Sequence, residues 1–132
     1  MSTAQDHEAG LVAFVVRAKR ERIEMFIASK KNRHKFVDDL WHFREWDPLA
    51  VVQLAPAQHT PEVVLAELTR RGASGDVYLV SATSALDRRV MPLPVALRSV
   101  VGSSSGTVVS CVPGRLAYFE GEGPGDRCIL QR

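Results

Sequence analysis

From residue 49 onward, apolar runs of strand length alternate with stretches whose apolar residues recur at helical spacing, and few architectures accommodate that alternation. Leu49 to Leu54 is a short apolar run suited to a buried strand. Thr60-Pro61 then marks a helix start, because the threonine hydroxyl can cap a free N–H and proline has no N–H to leave unsatisfied in the first turn. Val64, Leu65 and Leu68 supply its buried stripe, and Gly72 ends it. Asp76 leads into a second strand, Val77-Tyr78-Leu79-Val80, and Pro94 opens a short helix through Leu97, Val100 and Val101 that Gly102 closes. Strand–helix–strand units of this kind predict parallel β-α-β crossovers.

The C-terminal part reads as antiparallel. Thr107 to Val112 and Arg115 to Glu120 flank Pro113-Gly114, where proline fixes φ at the first central position of a type II turn and glycine tolerates positive φ at the second. A hairpin is expected there. Beyond the glycine-rich loop from Gly121 to Gly125, Cys128-Ile129-Leu130 adds a last edge strand.

The first third is helical by periodicity. Val12, Val15, Val16, Ile23, Phe26 and Ile27 share one face at about 100° per residue, which predicts a helix from Glu8 to Ser29, with a short strand over Leu11 to Val16 as the competing reading of its β-branched content. Phe36, Val37, Leu40, Trp41 and Arg44 predict a second helix that Asp47-Pro48 terminates. The fold class is therefore α/β with α+β character: an N-terminal helical segment, then β-α-β-α-β, a C-terminal β-hairpin and an edge strand, in a mixed sheet covered by helices. With 45% hydrophobic and 24% charged residues in 132, the chain suits one packed core. We divide that one domain into a flexible N-terminus (1–8), a helical basic segment (9–46) and a mixed α/β sheet region (49–132).

The longest strongly apolar run, Gly10 to Val16, falls far short of the roughly 20 residues that span a bilayer, and the polar start with Asp6 and Glu8 is unlike a secretory leader. A cytoplasmic protein without a membrane partner is expected. Cys111 and Cys128 read as reduced core residues, since they form no CxxC pair and lie near no ligand set for zinc.

Charge is distributed unevenly. Between Arg17 and Lys35 eight basic residues meet only Glu21 and Glu24, a segment of +6 in a chain of +2. Arg17, Arg20, Lys30, Lys31, Arg33 and Lys35, with aromatics nearby, are the candidate contacts to nucleic-acid phosphates. A solvated helix face is the plainer reading of the same pattern, and acidic regions elsewhere could draw this segment into a homodimer.

A second candidate surface follows from the expected topology, because ligands gather beyond the carboxyl ends of parallel strands. The loops there carry His59, Thr60, Ser81, Ser84, Asp87 and Arg88, a set able to hold a small anion, although such residues are also ordinary caps and turn formers. The pairs His34/Asp38 and His42/Glu45 fall short of a metal site, no cofactor motif appears, and Gly102-Ser103-Ser104-Ser105-Gly106 lacks both the lysine and the following helix of a phosphate-binding P-loop. No G-x-S-x-G nucleophile elbow occurs. The expectation is a non-enzymatic binding or regulatory protein that contacts a protein partner or itself as a homo-oligomer, with nucleic-acid binding or a small anionic ligand near His59 and Asp87 as the alternatives.

Overall fold

A computed structural model describes residues 2–132. Its centre is a six-stranded sheet in the order β1-β6-β5-β4-β2-β3, formed by Val51–Gln53 (β1), Asp76–Ser81 (β2), Val90–Pro92 (β3), Thr107–Val112 (β4), Leu116–Glu120 (β5) and Arg127–Gln131 (β6). Helices cover both faces. On one lie Ala4–Gly10 (α1), Arg20–Ala28 (α2) and Arg33–Val37 (α3), and on the other Pro61–Arg70 (α4) and Leu93–Val100 (α5). This is the mixed helix-and-sheet class that the alternation predicts.

Period-two alternation distributes each strand between two cores. Tyr78 and Val80 of β2 join Leu11, Phe14, Phe36, Leu40 and Trp46 under the N-terminal helices, while Val77 and Leu79 join Val64, Leu68, Leu97 and Val100 under α4 and α5. Because both faces are covered, the successive residues Val77 to Val80 of β2 are all apolar, and the run looks continuous in sequence.

Every neighbouring pair is antiparallel, which departs from the expected parallel crossovers. The order explains the difference. β3 and β4 both pair antiparallel with β2, so they are parallel to each other, and α5 carries the chain from one to the other across β2 as a split β-α-β unit. β1 and β2 likewise point the same way, with β6, β5 and β4 inserted between them. A second difference concerns the last strand: β6 lies inside the sheet, pairing with β5 and β1, and β1 takes the edge. The Pro113-Gly114 hairpin is present, with Gly114 at φ +70° and the Arg115 N–H donating to the Val112 carbonyl at 2.9 Å, as a type II turn requires.

The N-terminal third is more broken than its periodicity suggests. Instead of one helix from Glu8 to Ser29, the chain leaves helical geometry at Val15, which forms an antiparallel bridge to Trp46. The Val16 N–H donates to Glu45 O and the Asp47 N–H to Phe14 O, both at 2.8 Å. Extended backbone is where β-branched valines fit best, and it tucks Val15 into the core. The second expected helix shortens to α3 and a 3-10 turn over Asp38–His42. Residues 4–8, expected to be flexible, are helical: the Thr3 hydroxyl accepts from the Asp6 N–H, the Asp6 carboxylate accepts from the Thr3 N–H, and His7 is buried. The end of α1 fits tightly, since a Cβ on Gly10 would lie 2.4 Å from the Gly114 nitrogen of the hairpin turn.

Candidate nucleic-acid interface

The basic segment sorts into cations held inside the fold and cations left outside it. Arg33 is held inside. Its guanidinium sits between two carboxylates, donating to Glu8 (Nε and Nη2, both 2.8 Å) and to Asp87 (Nη1 2.7 Å, Nη2 3.0 Å). Burial pulls the Arg33 pKa down, but the hydrogen bonds and charges of Asp87 and Glu8 outweigh it and hold the pKa above its ordinary value. Glu8 also accepts from the Tyr78 hydroxyl, and Asp87 from the Ser81 N–H at 3.0 Å. Arg20 is structural too, donating from Nε to the Val15 carbonyl at 2.9 Å and approaching Asp47 at 3.6 Å.

Arg17, Lys30, Lys31 and Lys35 differ from those two: each is exposed, and none has a carboxylate at ion-pair distance among the described residues. Two more cations outside the expected contact set, Lys19 and Arg22, are in the same condition. They help line a groove of about 440 Å³ between α2 and α3 with Phe26, Phe43 and Lys35. There the Arg22 guanidinium lies 5.4 Å and the Lys35 ammonium 5.8 Å from the Phe26 ring centroid. Asp39 and Glu45 occupy the groove as well. Helical spacing could have pointed to Lys19, Arg22 and Phe26, which recur at i, i+3 and i+7, but not to Lys35 of α3.

The six ligand-site candidates fall into two places. Ser81, Ser84, Asp87 and Arg88 come together with Lys30, Arg33 and His34 around a small cleft of about 220 Å³. Arg88 has a positive φ of 65°, uncommon outside glycine, and its N–H donates to the Leu79 carbonyl. Ser81 is buried, its hydroxyl 2.7 Å from that of Thr107. His59 and Thr60 lie elsewhere, because three strands separate β1 from β2, roughly 19 Å at the usual strand spacing. Thr60 caps α4 by accepting from the Val63 N–H at 3.2 Å, and His59 Nε2 is 3.1 Å from the Leu54 carbonyl oxygen. His59 and Asp87 therefore do not share one site.

Several other sequence features have structural partners. Neither tryptophan belongs to the basic groove: Trp46 is core and Trp41 packs against Gly106. His42 pairs with Glu122 at 2.7 Å rather than with Glu45. Cys111 and Cys128 lie in the two different cores, and burial pushes both thiols up to about 12, far from a reactive thiolate at neutral pH.

No family model, curated protein or solved structure matches this chain. The reading of its surfaces rests on their own geometry.

The support beneath the basic face carries a pH dependence. His7 stacks on Tyr78, with ring centroids 5.6 Å apart, and its Nδ1 lies 2.7 Å from the Ser110 hydroxyl. Burial lowers its pKa below 6.5, with Asp6 opposing. A lowered histidine pKa means that the unfolded chain takes up the proton first as pH falls, so this stability is present above about pH 6.5 and is lost on acidification below it. The thermal midpoint of the protein should therefore drop between about pH 6.5 and 5.5. In His7→Asn, which retains a side chain able to bond Ser110, that drop should shrink, as scanning calorimetry at both pH values would register.

Proposed function

We propose that this protein binds single-stranded nucleic acid through the face of α2 and the turn into α3. The observation that carries the reading is the separation of the basic segment: Arg20 and Arg33 are neutralised within the fold, whereas Arg17, Lys19, Arg22, Lys30, Lys31 and Lys35 face solvent without a carboxylate partner among the described residues. Such cations neutralise phosphates and release counterions, and Phe26 between Arg22 and Lys35 offers a ring on which a base can stack once those side chains swing to the backbone of the strand. A loose apolar contact surface is less well supported, because the exposed large apolar residues Met25, Leu49, Val90 and Val95 lie on separate elements.

Fluorescence anisotropy with a labelled 12-nucleotide strand tests the proposal. With about four phosphates engaged, log K should fall against log salt with a slope of roughly −3. Replacing Lys19, Arg22 and Lys35 together by glutamate should weaken binding at least about a hundredfold at low salt and flatten that slope by about 2. Phe26→Ala should cost roughly five- to a hundredfold on a stacked base. Undetectable binding at low ionic strength, or an affinity indifferent to these substitutions, overturns the reading. A second reading, a protein partner or a second copy of the chain at the same face, is favoured by Met25, 66% exposed on α2. Sedimentation velocity distinguishes self-association: a mass that rises with concentration and reverts in Met25→Glu supports it.

A further inference from the structure

The sheet has two outer edges, β3 and β1, and they are guarded differently. At the first, the Leu93 N–H donates to Gly75 O at 3.1 Å and the Leu79 N–H to Arg89 O at 2.9 Å. Antiparallel bonding alternates along a strand, so Met91 faces β2 while Val90 and Pro92 turn their backbones outward. Pro92 has no N–H to offer, and Arg88 and Arg89 lead into the strand. Proline and charge at an edge keep another strand from adding to it.

β1 carries neither device. The Gly121 N–H donates to Asp126 O at 2.8 Å and the Arg132 N–H to Arg115 O at 2.9 Å, so Cys128 and Leu130 bond to β5 and Ile129 bonds to Val52. Val51 and Gln53 therefore aim their backbones away from the sheet, where no strand among the described residues meets them. The Val51 N–H turns back onto the Pro48 carbonyl. That leaves the Val51 C=O as a free acceptor and the Gln53 N–H as a free donor, two residues apart.

This edge is its own complement. In an antiparallel pairing about a two-fold axis at Val52, the Gln53 N–H of each copy meets the Val51 C=O of the other. The residues from Pro48 to Gln58 carry no charge, so two such edges approach without the repulsion that like charges impose across strands. The same register brings Leu49, 87% exposed, against the exposed Ala55 and Pro56 of the second copy and removes its apolar surface from water.

We infer that two copies of this chain join through β1, antiparallel about that axis, into one continuous sheet. Pro48 and Pro56 bracket the contact and keep it short, so the dimer is reversible. The guarded β3 edge stops assembly at two copies instead of a fibre. None of the groove cations takes part, so the inference does not rest on the nucleic-acid reading.

Sedimentation velocity on the native protein tests it. The mass should rise from 14.6 kDa at about 5 μM toward twice that value at about 0.5 mM, as a small interface implies. Leu49→Glu, at an exposed position, should keep the native thermal midpoint and hold the monomer mass throughout. Gln53→Pro removes the outward donor without touching the ladder to β6 and should weaken pairing at least about tenfold. If the proline unfolds β1, Leu49→Glu still decides. Amide exchange reads the register directly: the Gln53 N–H should exchange at least about tenfold more slowly at the higher concentration, and the Val90 N–H should not change. Met25→Glu and Val90→Glu should leave the dimer intact. A strict monomer at about 0.5 mM, a dimer indifferent to both β1 variants, or one abolished by Met25→Glu or Val90→Glu overturns the inference.

Discussion

Replacing Glu120 by alanine should lower stability by about 3–5 kcal/mol and the thermal midpoint by roughly 10 °C or more. Glu120 is fully buried at the end of β5, yet its carboxyl group is the hub of the loop from Gly102 to Gly106. Oε1 accepts from the Gly102 N–H at 3.0 Å and from the Tyr118 hydroxyl at 2.9 Å, Oε2 accepts from the Ser104 N–H at 2.6 Å, and Arg127 lies alongside. Ser104 holds a positive φ of 52° to present its N–H. The glycine-serine run is thus an anion cradle after all, and the anion is a side chain of the same chain. Alanine would leave the Tyr118 hydroxyl without its acceptor and the Arg127 guanidinium without its counter-charge, the costliest way to break such a network. Glu120→Gln keeps one acceptor oxygen but turns an amide N–H₂ toward existing donors, so its loss should be intermediate. Urea titration of the three proteins would measure the order, and an alanine variant within about 1 kcal/mol of the native chain would show that the network contributes little.

Arg33→Met should be nearly as damaging, at about 3–5 kcal/mol, because methionine fills the space but leaves Glu8 and Asp87 facing each other with only the exposed Arg88, 3.9 Å from Asp87, nearby. Arg33→Lys should recover only part of the loss, since one ammonium cannot donate to both carboxylates in the paired geometry that the guanidinium makes. The triple change Arg33→Met, Glu8→Gln, Asp87→Asn should be more stable than Arg33→Met alone, because no unpaired charge remains. If the triple variant is instead the weakest by chemical denaturation, the contribution of Arg33 is packing rather than compensation of charge. None of these changes touches Lys19, Arg22 or Lys35, so a folded variant should keep its affinity for the strand.

What the sequence discloses depends on the distance over which a feature acts. Thr60-Pro61 and Pro113-Gly114 are legible because their chemistry is complete within a few residues: a hydroxyl reaches Val63, and a glycine turns at positive φ. The run from Val77 to Val80 is legible as a strand but not in its direction of pairing, because continuous apolar residues report two covered faces and nothing more. That β4, β5 and β6 insert between β1 and β2 is a long-range choice without a local mark. Arg33 shows the same limit at the level of a single side chain. Its partners stand 25 and 54 positions away, so within its own segment it looks like one more solvated cation. The exposed cations of α2 are legible as charge. Their grouping around Phe26 needs the turn between α2 and α3, which spacing on one helix does not provide.

The interior position of β6 has a consequence for the order in which the chain can assemble. Val51, Val52 and Gln53 have no strand to join until Leu130, Ile129 and Cys128 have been synthesised, about 75 residues later. A ribosome must therefore deliver Arg127–Gln131 before β1 finds a neighbour, and excising that strand would unfasten one side of the sheet.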